Sequence, residues 1–242
     1  MKGVILCGGE AKRLGELSKV TNKHLLPIYD LPMCYYPIKT LVDANIEEIL
    51  IVVSGKFAGH FIGVLKNGKE LGIKKLQYAF QEGNGGIADA LALAEDFADG
   101  DPLAILLGDN CTDSDISKEI ANFKSGAHIF VKIVPDPERF GTLVIDSSGN
   151  VIGVEEKSKV PLSNKAVTGL YIMDSSVFDK IRNIVPSQRG ELEICDVLNQ
   201  YFTEKNVTIS ELDGWWADCG LAESLFKAAE YWRNKKLNDT NN

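Results

Sequence analysis

The chain has 242 residues, with 26 basic and 34 acidic side chains and a formal net charge of −8. Hydrophobic residues at 45% and charged residues at 25% are average for a soluble globular domain, which excludes a disordered tail or a coiled coil. The acidic balance argues against nucleic acid as a partner, and no apolar run approaches the ~18 residues that a membrane span needs.

Lys2–Cys7 reads as a short buried strand running into Gly8-Gly9 and a helical stretch. Glu48–Val53, Leu76–Phe80, Leu103–Leu107 and Ala127–Val134 are β-branched or apolar runs of strand length. Helical spacing fills the intervals at Tyr35–Ala44, Gly59–Lys66, Gly86–Phe97 and Asp115–Phe123. This alternation predicts parallel strands with crossover helices, an α/β sheet. After Pro135 strands dominate: Leu143–Asp146, Val151–Glu155 and Ala166–Met173, with a hairpin turn at Ser147–Asn150. Helices are expected at Ser175–Asn183 and Glu193–Phe202, then a strand at Val207–Leu212 and a long helix at Leu221–Lys236. A frayed tail is expected from Asn238 to Asn242. With no linker, repeat or low-complexity block, residues 1–242 are read as one domain. The first residues are too short a run for a signal peptide. Five cysteines without a CxxC pair point to neither a disulfide scaffold nor a zinc site. A reducing, cytoplasmic setting is the expectation.

Generic motifs narrow the chemistry. Gly63-Val-Leu-Lys-Asn-Gly68-Lys69 nearly spells a P-loop. However, Glu70 stands where a hydroxyl should hold magnesium, and the glycines follow a helix rather than a strand. No GxGxxG follows the first strand, and no GxSxG elbow accompanies His24, His60 or His128, which read as surface or packing residues. What remains is the strand–glycine–helix turn Leu6–Leu14, whose N–H groups would favour an anion beside Arg13 and Lys23. Alone, it reads more simply as a tight βα connection with solvated cations. Asp109, after Gly108 at the carboxyl end of a buried strand, is either a ligand-binding position or a loop cap. Asp218 reads by itself as a cap of the last helix; the two carboxylates together would suit Mg²⁺. Glu156-Lys157 alone reads as a solvated strand edge.

Taken in order, the segments are far more specific. Lys23-His-Leu-Leu-Pro-Ile-Tyr-Asp30, Tyr35-Tyr-Pro37, Leu107-Gly-Asp-Asn110, Asp136-Pro-Glu-Arg-Phe-Gly141, Glu155-Glu-Lys157, Val167-Thr-Gly-Leu-Tyr171 and Arg189-Gly-Glu-Leu-Glu-Ile194 run from end to end of the chain. Together they resemble the sugar-nucleotide pyrophosphorylases, a nucleotidyltransferase family, most closely its members that make dTDP-glucose. The resemblance implies a Rossmann-like three-layer α/β/α fold with a central mixed sheet and a small β-rich sugar-binding part. It divides the domain into a nucleotide-binding part (1–134), a sugar-phosphate-binding part (135–220) and a C-terminal helix and tail (221–242).

The implied reaction joins a nucleoside triphosphate, dTTP favoured and UTP second, to a sugar 1-phosphate, glucose 1-phosphate favoured, releasing pyrophosphate. A pyrophosphorylase for another sugar or nucleotide, or a non-catalytic nucleotide-sugar-binding homologue, is the alternative. The resemblance assigns Asp109 and Asp218 to a Mg²⁺ site, and Arg13 and Lys23 to the triphosphate. Lys157 and Arg189 hold the sugar phosphate, and Glu156, Gly141 and Val167 the sugar. Leu6, Gly8, Gly9, Gln81 and Gly86 surround the nucleoside, with the Gln81 amide expected to donate and accept at once. A homo-oligomer is also implied. The chain departs from the family pattern at Glu10, Ala11 and Lys12 in the first loop, at Asn84 and at Phe140.

Overall fold

Apolar runs such as Ile49–Val53 and Leu103–Leu106 alternate nothing polar, so they belong to strands buried on both faces, as parallel strands between helical layers are. The structure, a computed structural model, describes residues 1–9 and 12–240. Its first strands are β1 (Lys2–Cys7), β2 (Pro27–Ile28), β3 (Leu31–Pro32), β4 (Glu48–Ser54), β5 (Lys75–Gln81), β6 (Leu103–Leu107) and β7 (Asn110–Thr112). Then follow β8 (Ala127–Ile133), β9 (Gly141–Ile145), β10 (Val151–Glu156), β11 (Lys165–Met173), β12 (Val207–Glu211) and β13 (Trp216–Asp218). The helices are α1 (Leu17–Val20), α2 (Tyr35–Asp43), α3 (Ala58–Leu65), α4 (Ile87–Ala92), α5 (Glu95–Ala98) and α6 (Ser117–Asn122). After them come α7 (Val177–Arg182), α8 (Ile194–Thr203) and α9 (Ala222–Thr240).

Among the described residues the main sheet has nine strands and is mixed. Its parallel half runs β5-β4-β1-β6, so β1 sits between two strands reached in opposite directions. Ligands gather at the carboxyl ends of strands at such a switch point. β11 lies antiparallel to β6 through Leu170–Met173, while its first residues lose β6 and meet β9 at Ala166–Thr142. β8 follows β11 with a register shift between Val167 and Tyr171. A cleft opens where β11 exchanges neighbours.

Side chains alternate across β1: Val4 and Leu6 enter a core that includes Leu91, Phe178 and Val197, and Ile5 and Cys7 enter one that includes Ile38, Leu41 and Phe61. Helices therefore cover both faces, giving three layers. A third core seats α9, through Ala228 and Trp232, on Ile28, Met33, Tyr36, Cys111 and Cys219. Cys111 belongs to the β7–β13 ribbon, and Cys219 directly follows it. Asp113 pins this docking: it accepts from the Trp215 N–H at 2.7 Å, the Tyr231 hydroxyl and the Lys235 ammonium. Trp215 stacks on Tyr231 with centroids 4.3 Å apart.

Several expectations are corrected. The helix over Gly86–Phe97 divides into α4 and α5, because near Leu93–Ala94 ψ moves close to 0° and the ladder tightens to Ala94 N–H to Leu91 O. The frayed tail does not begin at Asn238: α9 continues to Thr240, since a formed helix propagates readily through polar residues. Residues 241–242 lie outside the described residues. The hairpin β2–β3 and the ribbon β7–β13, with two or three residues per strand, are too short for any periodicity to betray them. Gly63 lies inside α3, which agrees with the rejection of a P-loop there. All five cysteines are free and buried, and no described helix is long and apolar enough to cross a membrane.

Replacing Asp113 with Ala leaves the Trp215 N–H without its acceptor. Stability is expected to fall by about 1–3 kcal/mol, read as a lower urea midpoint with faster amide exchange in α9 than elsewhere.

Candidate active site

The carboxyl ends of four parallel strands frame one side of a cleft of about 650 Å³. Leu6 lies near the end of β1 and Gly8 just beyond it, and the Gly9 N–H donates to Ser54 Oγ at the end of β4 at 3.0 Å. Gln81 ends β5, and Asp109 follows β6 after Gly108. Every residue that the resemblance assigned to the site lines this cleft: Leu6, Gly8, Gly9, Arg13, Lys23, Gln81, Gly86, Asp109, Gly141, Glu156, Lys157, Val167, Arg189 and Asp218. Glu10 and Ala11 lie outside the described residues, as does the side chain of Lys12.

Asp109 is the buried centre. Its Oδ2 meets Lys23 Nζ at 2.5 Å, and its Oδ1 accepts from Asn110 Nδ2 at 3.0 Å. Burial opposes its charge, but Lys23 more than offsets this and holds the carboxyl well below the usual carboxylate range. Asp218 is brought beside it by the pairing of Asn110 with Asp218 and by Cys219 N–H donating to Asp109 O. Burial and the Asp109 charge push its carboxyl upward. Asp218 does not cap α9; its Oδ1 accepts from Gly220 N–H at 2.7 Å, ahead of the helix.

The opposite wall carries the second set of charges. Lys157 follows β10 with φ +47°, a left-handed conformation that is costly for a lysine and turns the chain at this rim. Its Nζ lies 2.9 Å from Glu156 Oε1. Arg189 grips Glu193 through Nε at 3.1 Å and Nη2 at 2.7 Å, and reaches Glu156 at 3.4 Å. Beneath them the Cys195 thiol donates to Glu156 Oε2 at 3.2 Å, and a Cβ on Gly141 would stand 2.9 Å from that sulfur. Phe140 packs against Trp216, with centroids 5.6 Å apart.

Sequence reasoning missed several members. Asn110 joins Asp109 to Gly169 N–H (3.1 Å) and Trp216 Nε1 (2.8 Å), although it stood unassigned inside a recognised segment. Cys195 was visible only as sequence, because its bond to Glu156 crosses the fold, whereas Glu193 meets Arg189 at a spacing of four residues that could have pointed to it. The Gln81 amide departs from expectation: both its N–H groups are engaged inside the protein, so only its carbonyl remains for a ligand.

A family profile for nucleotidyl transferases matches residues 2–235. The chain belongs to the nucleotidyl transferase family. It is 37% identical over 238 residues to a glucose-1-phosphate thymidylyltransferase of Actinoplanes sp., spanning 96% of this chain and 78% of that protein. It is 38% identical over 237 residues to that of Neisseria gonorrhoeae, covering 96% and 82%. A Bacillus anthracis protein assigned as a glucose-1-phosphate thymidylyltransferase, solved with sucrose, superposes with a TM-score of 0.89 at 43% identity, covering 96% and 94%. A UDP-glucose pyrophosphorylase complexed with UDP-glucose shares the fold at a TM-score of 0.83 and 21% identity, covering 97% and 98%. The mixed sheet between two helical layers is thus that of the Rossmann-like nucleotidyltransferases.

In this transferase the histidine next to Lys23 is a buried wall residue. Asn22 Nδ2 donates to Cys7 O, so Asn22 Oδ1 is an acceptor and His24 Nδ1, 2.7 Å away, carries the proton. Burial, with the Lys23 charge, pushes His24 down to about 3. Unfolded, it titrates near 6.5, so between these values only the unfolded chain takes up the proton and stability drops as pH falls. The slope is expected to reach about 1.4 kcal/mol per pH unit from this residue. Denaturant unfolding of the native protein and of His24→Asn at pH 7, 6 and 5 checks it: the variant should show the shallower acid slope.

Proposed function

We propose that the protein transfers a thymidylyl group from dTTP to glucose 1-phosphate, giving dTDP-glucose and pyrophosphate, with Mg²⁺ as the divalent cation. The observation that carries this reading is one cleft holding a carboxylate pair, Asp109 buried and Asp218 half-buried, with Lys23 and Arg13, and a separate lysine–arginine pair beside Glu156. The names of the similar proteins supply the substrates.

The central difficulty is that both substrates are anions. A phosphate oxygen of glucose 1-phosphate attacks the α-phosphorus, forming a P–O bond as the bond to pyrophosphate breaks, and no general base is required of the protein. Positioning and charge neutralisation therefore carry the catalysis. Arg13 and Lys23 would hold the triphosphate and stabilise the departing pyrophosphate. Lys157 and Arg189 would exchange their carboxylate partners for the sugar phosphate, leaving Glu156, with Gly141 and Val167, to face the sugar.

Asp109 and Asp218 fit Mg²⁺: two hard oxygen donors side by side, whose mutual repulsion a divalent ion would relieve, match its usual pairing of one or two carboxylates with phosphate oxygens. When bound there, the ion would neutralise the α-phosphate. Leu6, Gly8, Gly9, Gln81 and Gly86 would surround the nucleoside.

A pyrophosphate-release screen of dTTP, UTP, dCTP, ATP and GTP against several sugar 1-phosphates should give the highest turnover for dTTP with glucose 1-phosphate. Release with purine triphosphates alone would overturn the assignment. Asp109→Asn and Asp218→Asn should each keep the fold and lower kcat by about 100-fold or more, because a carboxamide binds Mg²⁺ poorly. Lys157→Met should raise the KM for glucose 1-phosphate by about 10- to 100-fold, the loss of one charged hydrogen bond, while that for dTTP stays nearly constant.

A further inference from the structure

Gln81 is nearly fully buried at the end of β5, with 4% of its surface exposed, yet it lines the cleft. Its Nε2 donates to Asp89 Oδ2 at 2.7 Å and to Gly86 O at 3.0 Å. An amide nitrogen has two hydrogens, and both partners are acceptors, so the orientation of this amide is fixed by chemistry. Inverting it would set Oε1 against a carboxylate and a carbonyl at once. The oxygen is left pointing over the backbone at the end of β1: a Cβ on Gly8 would lie 2.6 Å from Oε1, so glycine is needed there. Gly86 is held too, at φ +99°, where a Cβ would strike Leu192 O at 2.7 Å. Its carbonyl therefore cannot drift away from Gln81.

Asp89 is the adjustable part of this arrangement. It projects from α4, and no catalytic step described above uses it. We propose that Asp89 is a positioning residue that sets nucleobase selectivity, by holding Gln81 so that only an acceptor faces the base. Thymine and uracil present an N3–H to such an acceptor. Cytosine presents a bare N3 at the same place, and acceptor would meet acceptor. The proposal deepens the reading of this end of the cleft as the nucleoside site, and rests on it.

The test measures kcat/KM for dTTP, UTP and dCTP, with glucose 1-phosphate saturating, in the native enzyme, Asp89→Ala, Asp89→Asn and Gln81→Ala. In Asp89→Ala only the Gly86 carbonyl still holds the amide, and the dTTP:dCTP ratio should fall by at least about tenfold, the loss of one charge-assisted hydrogen bond. Asp89→Asn can offer either an oxygen or an NH₂, so its ratio should lie between those of the native enzyme and Asp89→Ala. The dTTP:UTP ratio should stay unchanged in both, because both bases carry N3–H. The KM for glucose 1-phosphate should also be constant, which a general loosening of the fold would not permit. If Asp89→Ala fails to fold, the ratio in Asp89→Asn decides. A dTTP:dCTP ratio unmoved in the folded Asp89 variants but lowered in Gln81→Ala overturns the proposal and leaves the nucleoside site standing. A ratio unmoved in Gln81→Ala removes that reading of the site and the proposal together.

Discussion

A carboxylate removed from water must find partners or give up its charge, and Asp109 is where this protein meets that demand. One oxygen takes the Lys23 ammonium and the other the Asn110 amide. Each partner brings further structure with it. Lys23 opens a short helical turn capped by the Asn22 side chain. Asn110 uses its own oxygen to hold Gly169 of β11 and the Trp216 indole of β13. Satisfying one buried charge thus aligns three segments distant in sequence, and brings Asp218 to its place beside Asp109.

The cleft is charged but largely self-neutralised. Lys23 faces Asp109, Lys157 faces Glu156, and Arg189 faces Glu193. Lys23, fixed in advance by its counter-ion, needs little reorganisation when an anion arrives, whereas Lys157 and Arg189 would first have to release their carboxylates. The arrangement also explains why an acidic chain handles two anionic substrates: local geometry, and not net charge, decides the field inside the cleft.

The sequence made the parallel half of the sheet legible because buried parallel strands are continuous apolar runs, as in Glu48–Ser54 and Leu103–Leu107. Asp109 was legible as a carboxylate following such a run. The ordered segments shared with a known family gathered the remaining site residues, which periodicity alone would have left as strand edges and helix caps. What stayed hidden is tertiary. Three-residue strands such as β7 and β13 have no period to read, yet they carry the Asp218 side of the site. The Gln81 amide illustrates the other limit. Its donors and acceptor are known from its chemistry, but which of them a ligand meets depends on Asp89 and Gly86, placed by the turn into α4.

The two walls of the cleft differ in how they are fastened. The Asp109 wall is continuous with the sheet through long ladders from β1 to β4 and from β1 to β6. The β9–β10 hairpin, which ends in Glu156 and Lys157, meets β11 through the single rung Ala166–Thr142. Its side-chain ties include Asn199 of α8, which clasps Val154 by both backbone groups, and the Cys195 thiol, which donates to Glu156. Few ladder bonds make a segment mechanically compliant. The hairpin is therefore the yielding jaw of the cleft, and the parallel strands, with α8 packed into the same core through Val197 and Leu198, are its anvil.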